Sequence, residues 1–218
     1  MEVSSTLGEF AAVIFDFDGT LADSHAAMVR SYLTWADEFG LDPASLVSFT
    51  GMPSAAIAAA LLPADQVERA SARIDELEVA DTDGVVPLPG AVDALAGVPD
   101  ERRAIATSCT APLLNARLDA VGLDRPAVVV TRDDVTNGKP DPESFLLAAE
   151  RLGTDPERCV VFEDAPAGVA AARAAGMAVI GVLTAHTVDE LQADWHVNSL
   201  ADVEFEAIDD GVRITWRA

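Results

Sequence analysis

Residues 11–20 read AAVIFDFDGT, an apolar run over 11–17 broken only by acids at its end, Asp16 and Asp18, before a turn at Gly19-Thr20. A short, nearly continuous run of this kind is the pattern of a strand buried on both faces, as in a parallel sheet. Four further runs rich in valine and isoleucine follow at 103–107, 127–131, 159–162 and 178–182. Segments with helical spacing lie between them at 91–95, 112–121, 142–152 and 166–175. Three of these carry proline near the start and glycine just past the end: Pro112 with Gly122, Pro142 with Gly153, and Pro166 with Gly176. That asymmetry marks helix boundaries. Alternating strands and helices predict an α/β chain, with a doubly wound, Rossmann-like parallel sheet and right-handed crossovers.

The interval from Ser24 to about residue 83 departs from that rhythm, with helical patterns at 26–39, 54–62 and 64–79 and no convincing strand. It predicts a small helical cap, residues 20–87, inserted into a core formed by 1–19 and 88–218. The two connections, 19–24 and 83–90, are short, and the second holds Gly84, Pro87, Pro89 and Gly90. Such joints suit a hinged lid. Near the far end, 203–207 and 212–216 flank Asp209-Asp210-Gly211, the mark of a hairpin turn.

The chain has 218 residues, half of them apolar, enough for one large domain with an insertion. Its net charge of −23 argues against nucleic acid or anionic lipid as a partner. No signal peptide or membrane span is expected, because the first residues lack a basic run followed by a long apolar stretch. Cys109 and Cys159 lack a second thiol at metal-ligand spacing, so neither a disulfide framework nor a zinc site is suggested. A cytoplasmic monomer or weak dimer is the expectation. Thirteen of the fourteen basic residues are arginine, and the one lysine is Lys139. A chain that otherwise uses only arginine and keeps one compact ammonium points to a site needing a point charge.

Four pieces carry candidate chemistry. Asp16 and Asp18 end the first run, and side chains two apart in extended chain point the same way, so the two carboxylates repel unless a cation or a proton lies between them. Alternatively, the acids merely cap the following turn. Ser108 and Cys109 follow the strand at 103–107; a hydroxyl and free amides before a helix form a phosphate cradle, with Thr107 as the other hydroxyl candidate. Helix capping is the competing reading there, and the Cys109 thiol, with no base nearby in sequence, is read as packing. Lys139 lies in the tight loop Asn137-Gly138-Lys139-Pro140-Asp141-Pro142. Glu163 and Asp164 close the run at 159–162. All four pieces fall at carboxyl ends of expected parallel strands, where an open sheet binds ligands.

These four runs, in this order and at this spacing, resemble the signature motifs of the haloacid dehalogenase superfamily over nearly the whole chain. The stretches 107–123, 137–152 and 160–176 are similar to the sugar-phosphatase subgroup, close to the beta-phosphoglucomutases. The resemblance implies that Asp16 attacks phosphorus to form an aspartyl phosphate, while Asp18 protonates the departing oxygen and then activates water. It implies Mg2+ held by Asp16, the Asp18 backbone carbonyl and Asp164, with Glu163 as an additional or outer ligand. Ser108, Cys109 and Lys139 would hold the phosphoryl oxygens of a small phosphorylated substrate.

The loop at 50–54, with Gly51 and Met52, is the candidate specificity element, together with Thr20. Subgroup members often carry a basic residue where this chain has Met52. Asp81-Thr82-Asp83-Gly84 superficially repeats the first motif but lacks the closing glutamate of a calcium loop and reads as a hinge turn. Asp133-Asp134 reads as loop. His25, His186 and His196 are scattered and offer no serine a base. Three other functions use the same residues: a phosphosugar mutase, a dehalogenase, which has no need of a metal site, and a non-catalytic phosphometabolite-binding protein.

Overall fold

The computed structural model describes residues 6–49 and 53–217. The chain begins with β1 (Thr6–Phe10), β2 (Ala12–Phe15) and the short β3 (Ala22–Asp23). Three helices follow, α1 (His25–Phe39), α2 (Ser54–Leu61) and α3 (Val67–Ala80), and β4 (Val86–Pro87) closes this stretch. Alternation then sets in with α4 (Ala91–Gly97), β5 (Arg103–Ala106), α5 (Ala111–Val121) and β6 (Val128–Val130). It continues through α6 (Glu143–Leu152), β7 (Cys159–Glu163), α7 (Pro166–Ala174) and β8 (Ala178–Val182). The short α8 (Val188–Leu191) and β9 (Trp195–Val197) precede the hairpin of β10 (Val203–Ile208) and β11 (Gly211–Trp216).

Six strands form one parallel sheet in the order β6-β5-β2-β7-β8-β9. Alternate side chains of each strand enter opposite cores, which is why the runs are apolar throughout. Val13, Phe15, Ile105, Val160 and Phe162 pack on one side with residues of α4 and α5. Ala12, Ile14, Ala104, Ala106 and Val161 pack on the other with Phe145 and Ala148 of α6 and Val169 of α7. The chain steps from β2 outward to β5 and β6, then returns to β7 on the other flank of β2. That reversal opens a crevice beyond the carboxyl end of β2.

The expected five strands, four flanking helices and terminal hairpin are all present. Four strands were not foreseen. β1 pairs with β11 to complete a three-stranded antiparallel sheet, β1-β11-β10, a long-range partnership that its sequence TLGEF, with a glycine and an acid, does not announce. β3 and β4 fall on the two expected connections and pair with each other, Ala22 with Pro87 and Asp23 with Val86. β9 extends the parallel sheet past β8. The first strand also stops at Phe15, two residues short of the expected end, so Asp16 and Asp18 lie beyond it.

Helices α1 to α3 gather an apolar cluster of their own around Trp35, Ile57, Ala70 and Ile74. The Trp35 indole N–H donates to the Ala70 carbonyl at 2.9 Å, tying α1 to α3. No helix among the described residues is long and apolar enough to cross a membrane.

Phe162 joins the parallel sheet to the hairpin: its ring centroid lies 5.4 Å from that of Phe15 and 5.5 Å from that of Phe205. Phe162→Ala should lower unfolding stability by about 3–5 kcal/mol. Chemical denaturation with an unchanged m-value is the measurement, and a loss under about 1 kcal/mol would mean that the site refills by repacking.

Candidate active site

Each element of the site is delivered by the carboxyl end of a strand. Asp16 follows β2 and is bound into the sheet by its own amide, which donates to the Phe162 carbonyl at 2.9 Å. Glu163 ends β7 and Asp164 follows it. Thr107 and Ser108 follow β5, and Lys139 reaches in from the loop before α6.

The lysine is the hub. Its Nζ donates to Asp16 Oδ1 at 2.6 Å, to Glu163 Oε1 at 2.8 Å and to the Ala106 carbonyl at 3.1 Å, which engages all three of its N–H bonds. The Phe145 ring lies beneath, 4.9 Å from Nζ to centroid. A tetrahedral ammonium meets three acceptors in separate directions, a task for which a planar guanidinium is the wrong shape. The ion pairs are shielded: the side chains of Lys139, Asp16 and Glu163 are 7%, 9% and 2% exposed.

Asp16, Glu163 and Asp164 each offer a carboxylate oxygen, and these oxygens lie within 4.8 Å of one another. One ammonium does not balance three buried carboxylates. Burial, aided by Glu163, pushes the Asp16 carboxyl up to about 7 against the pull of Lys139. Burial and the neighbouring Glu163 and Asp16 push Asp164 well above the usual carboxylate range. Lys139 is raised despite its burial, because Asp16 and Glu163 surround it. An all-oxygen, electron-rich, under-neutralised cluster is what a hard divalent cation requires. Two glycines make room for it. A methyl group at Gly19, where φ is +83°, would overlap the Asp164 carboxylate, and one at Gly168 would overlap that of Glu163.

Asp18 does not share this cluster. Beyond the end of β2 the alternation of an extended strand no longer holds, and the two acids turn to different cations. Asp18 Oδ1 accepts a hydrogen bond from the Ser24 hydroxyl. Its Oδ2 lies 2.8 Å from Nη1 of Arg117 and 2.7 Å from the Cys109 thiol. Nη2 of Arg117 reaches Glu78 Oε1 on α3 at 3.0 Å. Cys109 is therefore in contact with the Asp18 carboxylate rather than a purely apolar packing residue, and burial pushes its thiol up.

A cavity of about 700 Å³ lies between the helical stretch and the strand ends. It is bordered from below by Asp16, Asp18, Ser108, Lys139, Glu163 and Asp164, and from α1 to α3 by His25, Met28, Tyr32, Ser54, Asp75 and Glu78. Thr107 also borders it, its hydroxyl accepting the Cys109 amide at 3.1 Å. Thr20 is a correction: it is fully buried and does not line the cavity, because the turn after Asp18 carries its side chain into the core. Gly51 and Met52 lie outside the described residues.

Several cavity residues escaped the sequence reading. His25 and His186, far apart in sequence, both border the cavity, and His186 Nδ1 is 3.0 Å from the Asp164 carbonyl oxygen. Arg117 follows Leu113 and Leu114 on the buried face of α5, and Glu78 follows Ala70 and Ile74 on the buried face of α3. A charge on an otherwise apolar helical stripe was the available signal. The two decoys are structural. Asp81 pairs with Arg30 at 2.8 Å, and Asp133 accepts the first amide of α5 while Asp134 caps its own turn through Thr131.

A family model described as haloacid dehalogenase-like hydrolase matches residues 13–182. Hexitol phosphatase A of Escherichia coli is 40% identical over 178 residues, 78% of this chain and 81% of that protein. A fructose-1-phosphate phosphatase of the same organism is 34% identical, covering 79% of this chain and 96% of the relative. Among solved structures, a hydrolase from Pseudomonas syringae superposes with a TM-score of 0.77 at 31% identity, covering 88% of this chain and 94% of that one.

The raised Asp16 carboxyl has a consequence for stability. Between the ordinary value of 3.8 and about 7, the folded metal-free protein binds the proton that the unfolded chain releases, so stability falls as pH rises through that window. Thermal denaturation of chelator-treated protein should show this fall, and Asp16→Asn should make it shallower, leaving the part that the raised Asp164 and Glu78 carboxyls contribute. Parallel profiles for the two proteins would contradict the raised carboxyl.

Proposed function

The chain belongs to the haloacid dehalogenase-like hydrolases and is a phosphatase, and from that premise we propose that it hydrolyses small sugar or polyol monophosphates with Mg2+ through an aspartyl phosphate on Asp16. The observation that carries this reading is the position of Asp16: a carboxylate at the floor of the cavity, oriented by Lys139 at 2.6 Å and set within a triple-carboxylate cluster. The relatives named for hexitol and fructose-1-phosphate chemistry favour a polyhydroxylated substrate. The cavity wall supplied by α1 to α3 suits one, since Tyr32, Ser54 and Asp75 present groups that exchange hydrogen bonds with hydroxyls.

In the proposed reaction, a carboxylate oxygen of Asp16 attacks phosphorus, and the bond from phosphorus to the sugar oxygen breaks. Asp18 gives its proton to that oxygen. Water then attacks the aspartyl phosphate, losing a proton to Asp18, and the bond between Asp16 and phosphorus breaks to free inorganic phosphate. Ser108 and the amides ahead of α5 receive the phosphoryl oxygens. Lys139 holds the nucleophile; because its three N–H bonds are engaged within the protein, a contact to phosphate requires it to share one of them. Asp16, Asp164 and the Asp18 carbonyl would hold Mg2+, with Glu163 beside them, and the ion supplies charge neutralisation between dianion and nucleophile. Residues 20–87 act as the cap that excludes water from this step.

Release of inorganic phosphate from a panel of sugar and polyol phosphates tests the reading. Asp16→Asn should lose activity by several orders of magnitude while remaining folded, and Lys139→Arg should lose about 10²-fold. A chelator should stop turnover and Mg2+ restore it. Activity persisting in Asp16→Asn, or an isomerised sugar phosphate accumulating in place of free phosphate, would refute it.

A further inference from the structure

We propose that Arg117 is a positioning residue for Asp18, and that Glu78 on α3 holds Arg117 in place, so that proton delivery to the leaving oxygen depends on α3 being seated against α5. The inference rests on the phosphatase reading above and concerns a residue pair that none of the four motifs contains.

The geometry is specific. The Arg117 side chain is 4% exposed and that of Glu78 10%, whereas that of Asp18 is 28% exposed; all three border the cavity, and Asp18 is the member most open to it. One guanidinium nitrogen serves each carboxylate, Nη1 to Asp18 at 2.8 Å and Nη2 to Glu78 at 3.0 Å, a division that the planar fork permits and an ammonium does not. The remaining Nε is buried without a hydrogen-bond partner among the described residues. A buried ion pair is a poor way to gain stability, because desolvation offsets most of the attraction. Apolar side chains would serve Leu113, Leu114 and Leu118 of the same helix better as neighbours. The arginine therefore has another role, and its contact with Asp18 identifies it.

Asp18 is pinned from two sides, by Ser24 on one oxygen and by Arg117 and Cys109 on the other. This fixes the carboxyl at the cavity wall instead of leaving it free among rotamers. Glu78 makes the arrangement conditional. It belongs to the helical stretch between β3 and β4, so displacing α3 removes one of the two carboxylates that match the guanidinium and frees Arg117 to leave Asp18. A seated α3 thus supports proton transfer, and an unseated one does not.

The leaving group supplies the test. A sugar or polyol oxygen is strongly basic and must be protonated as its bond to phosphorus breaks, whereas nitrophenolate leaves without help. The double variant Arg117→Met with Glu78→Gln keeps no lone buried charge. Relative to wild type, its single-turnover rate with a hexitol phosphate should fall by about 10²-fold, its nitrophenolate burst from p-nitrophenyl phosphate by no more than about threefold, with little change in KM. Equal losses on both substrates, or no loss on the hexitol phosphate, would overturn the proposal. If the double variant does not fold, Glu78→Gln alone must show the same selectivity in smaller degree, and an unchanged ratio of the two rates overturns it. Failure of the wild-type protein to hydrolyse either substrate would instead remove the phosphatase reading itself.

Discussion

A cluster of three carboxylates, two of them paired to one ammonium, sets the terms for the whole candidate site. Asp16, Glu163 and Asp164 are all buried, and Lys139 neutralises only one charge among them. Such an arrangement is tolerable in a folded chain when the surroundings hold it rigidly and the excess charge is relieved by a proton or a further cation. The sheet provides the rigidity: β2 and β7 are adjacent and in register, Phe15 beside Phe162, so the acids after them are presented side by side. Gly19 and Gly168 provide the space, since any side chain there would strike the carboxylates.

The same economy of charge explains how two aspartates two residues apart take different work. Lys139 claims Asp16, and Arg117 claims Asp18. One acid is drawn into the triple-carboxylate cluster, and the other is kept at the cavity wall. A compact ammonium among three acceptors and a planar guanidinium between two carboxylates are not interchangeable, which accounts for a single lysine in a chain that elsewhere uses arginine. Through Glu78, the second of these pairs also extends the site into the helical stretch that covers it.

Much of the architecture could be read before any coordinates. Runs buried on both faces, helices bounded by proline and glycine, and a helical interval that broke the alternation each rest on local periodicity, and each corresponds to an element. What was missed are short strands fixed by their partners. β1, β3 and β4 depend on a partner far away in the chain, such as Val212 opposite Phe10 or Val86 opposite Asp23, and their composition is mixed, with glycine, acids or proline, and so carries no period to detect. β9, Trp195–Val197, is too short to show a period and is held by β8.

The sequence by itself determined five strands of the sheet and the carboxyl-end placement of Asp16, Ser108, Lys139 and Asp164, and its paired acids signalled an excess of negative charge, because strand patterning and charge counting are local properties. Only the tertiary structure decided which cation each acid faces. Arg117 and Glu78 are 39 residues apart and meet through the packing of α3 on α5, and Asp18 is turned toward them because the strand ends at Phe15. Electrostatic partnership follows distance in space, and the chain sets that distance only once its helices and strands have packed.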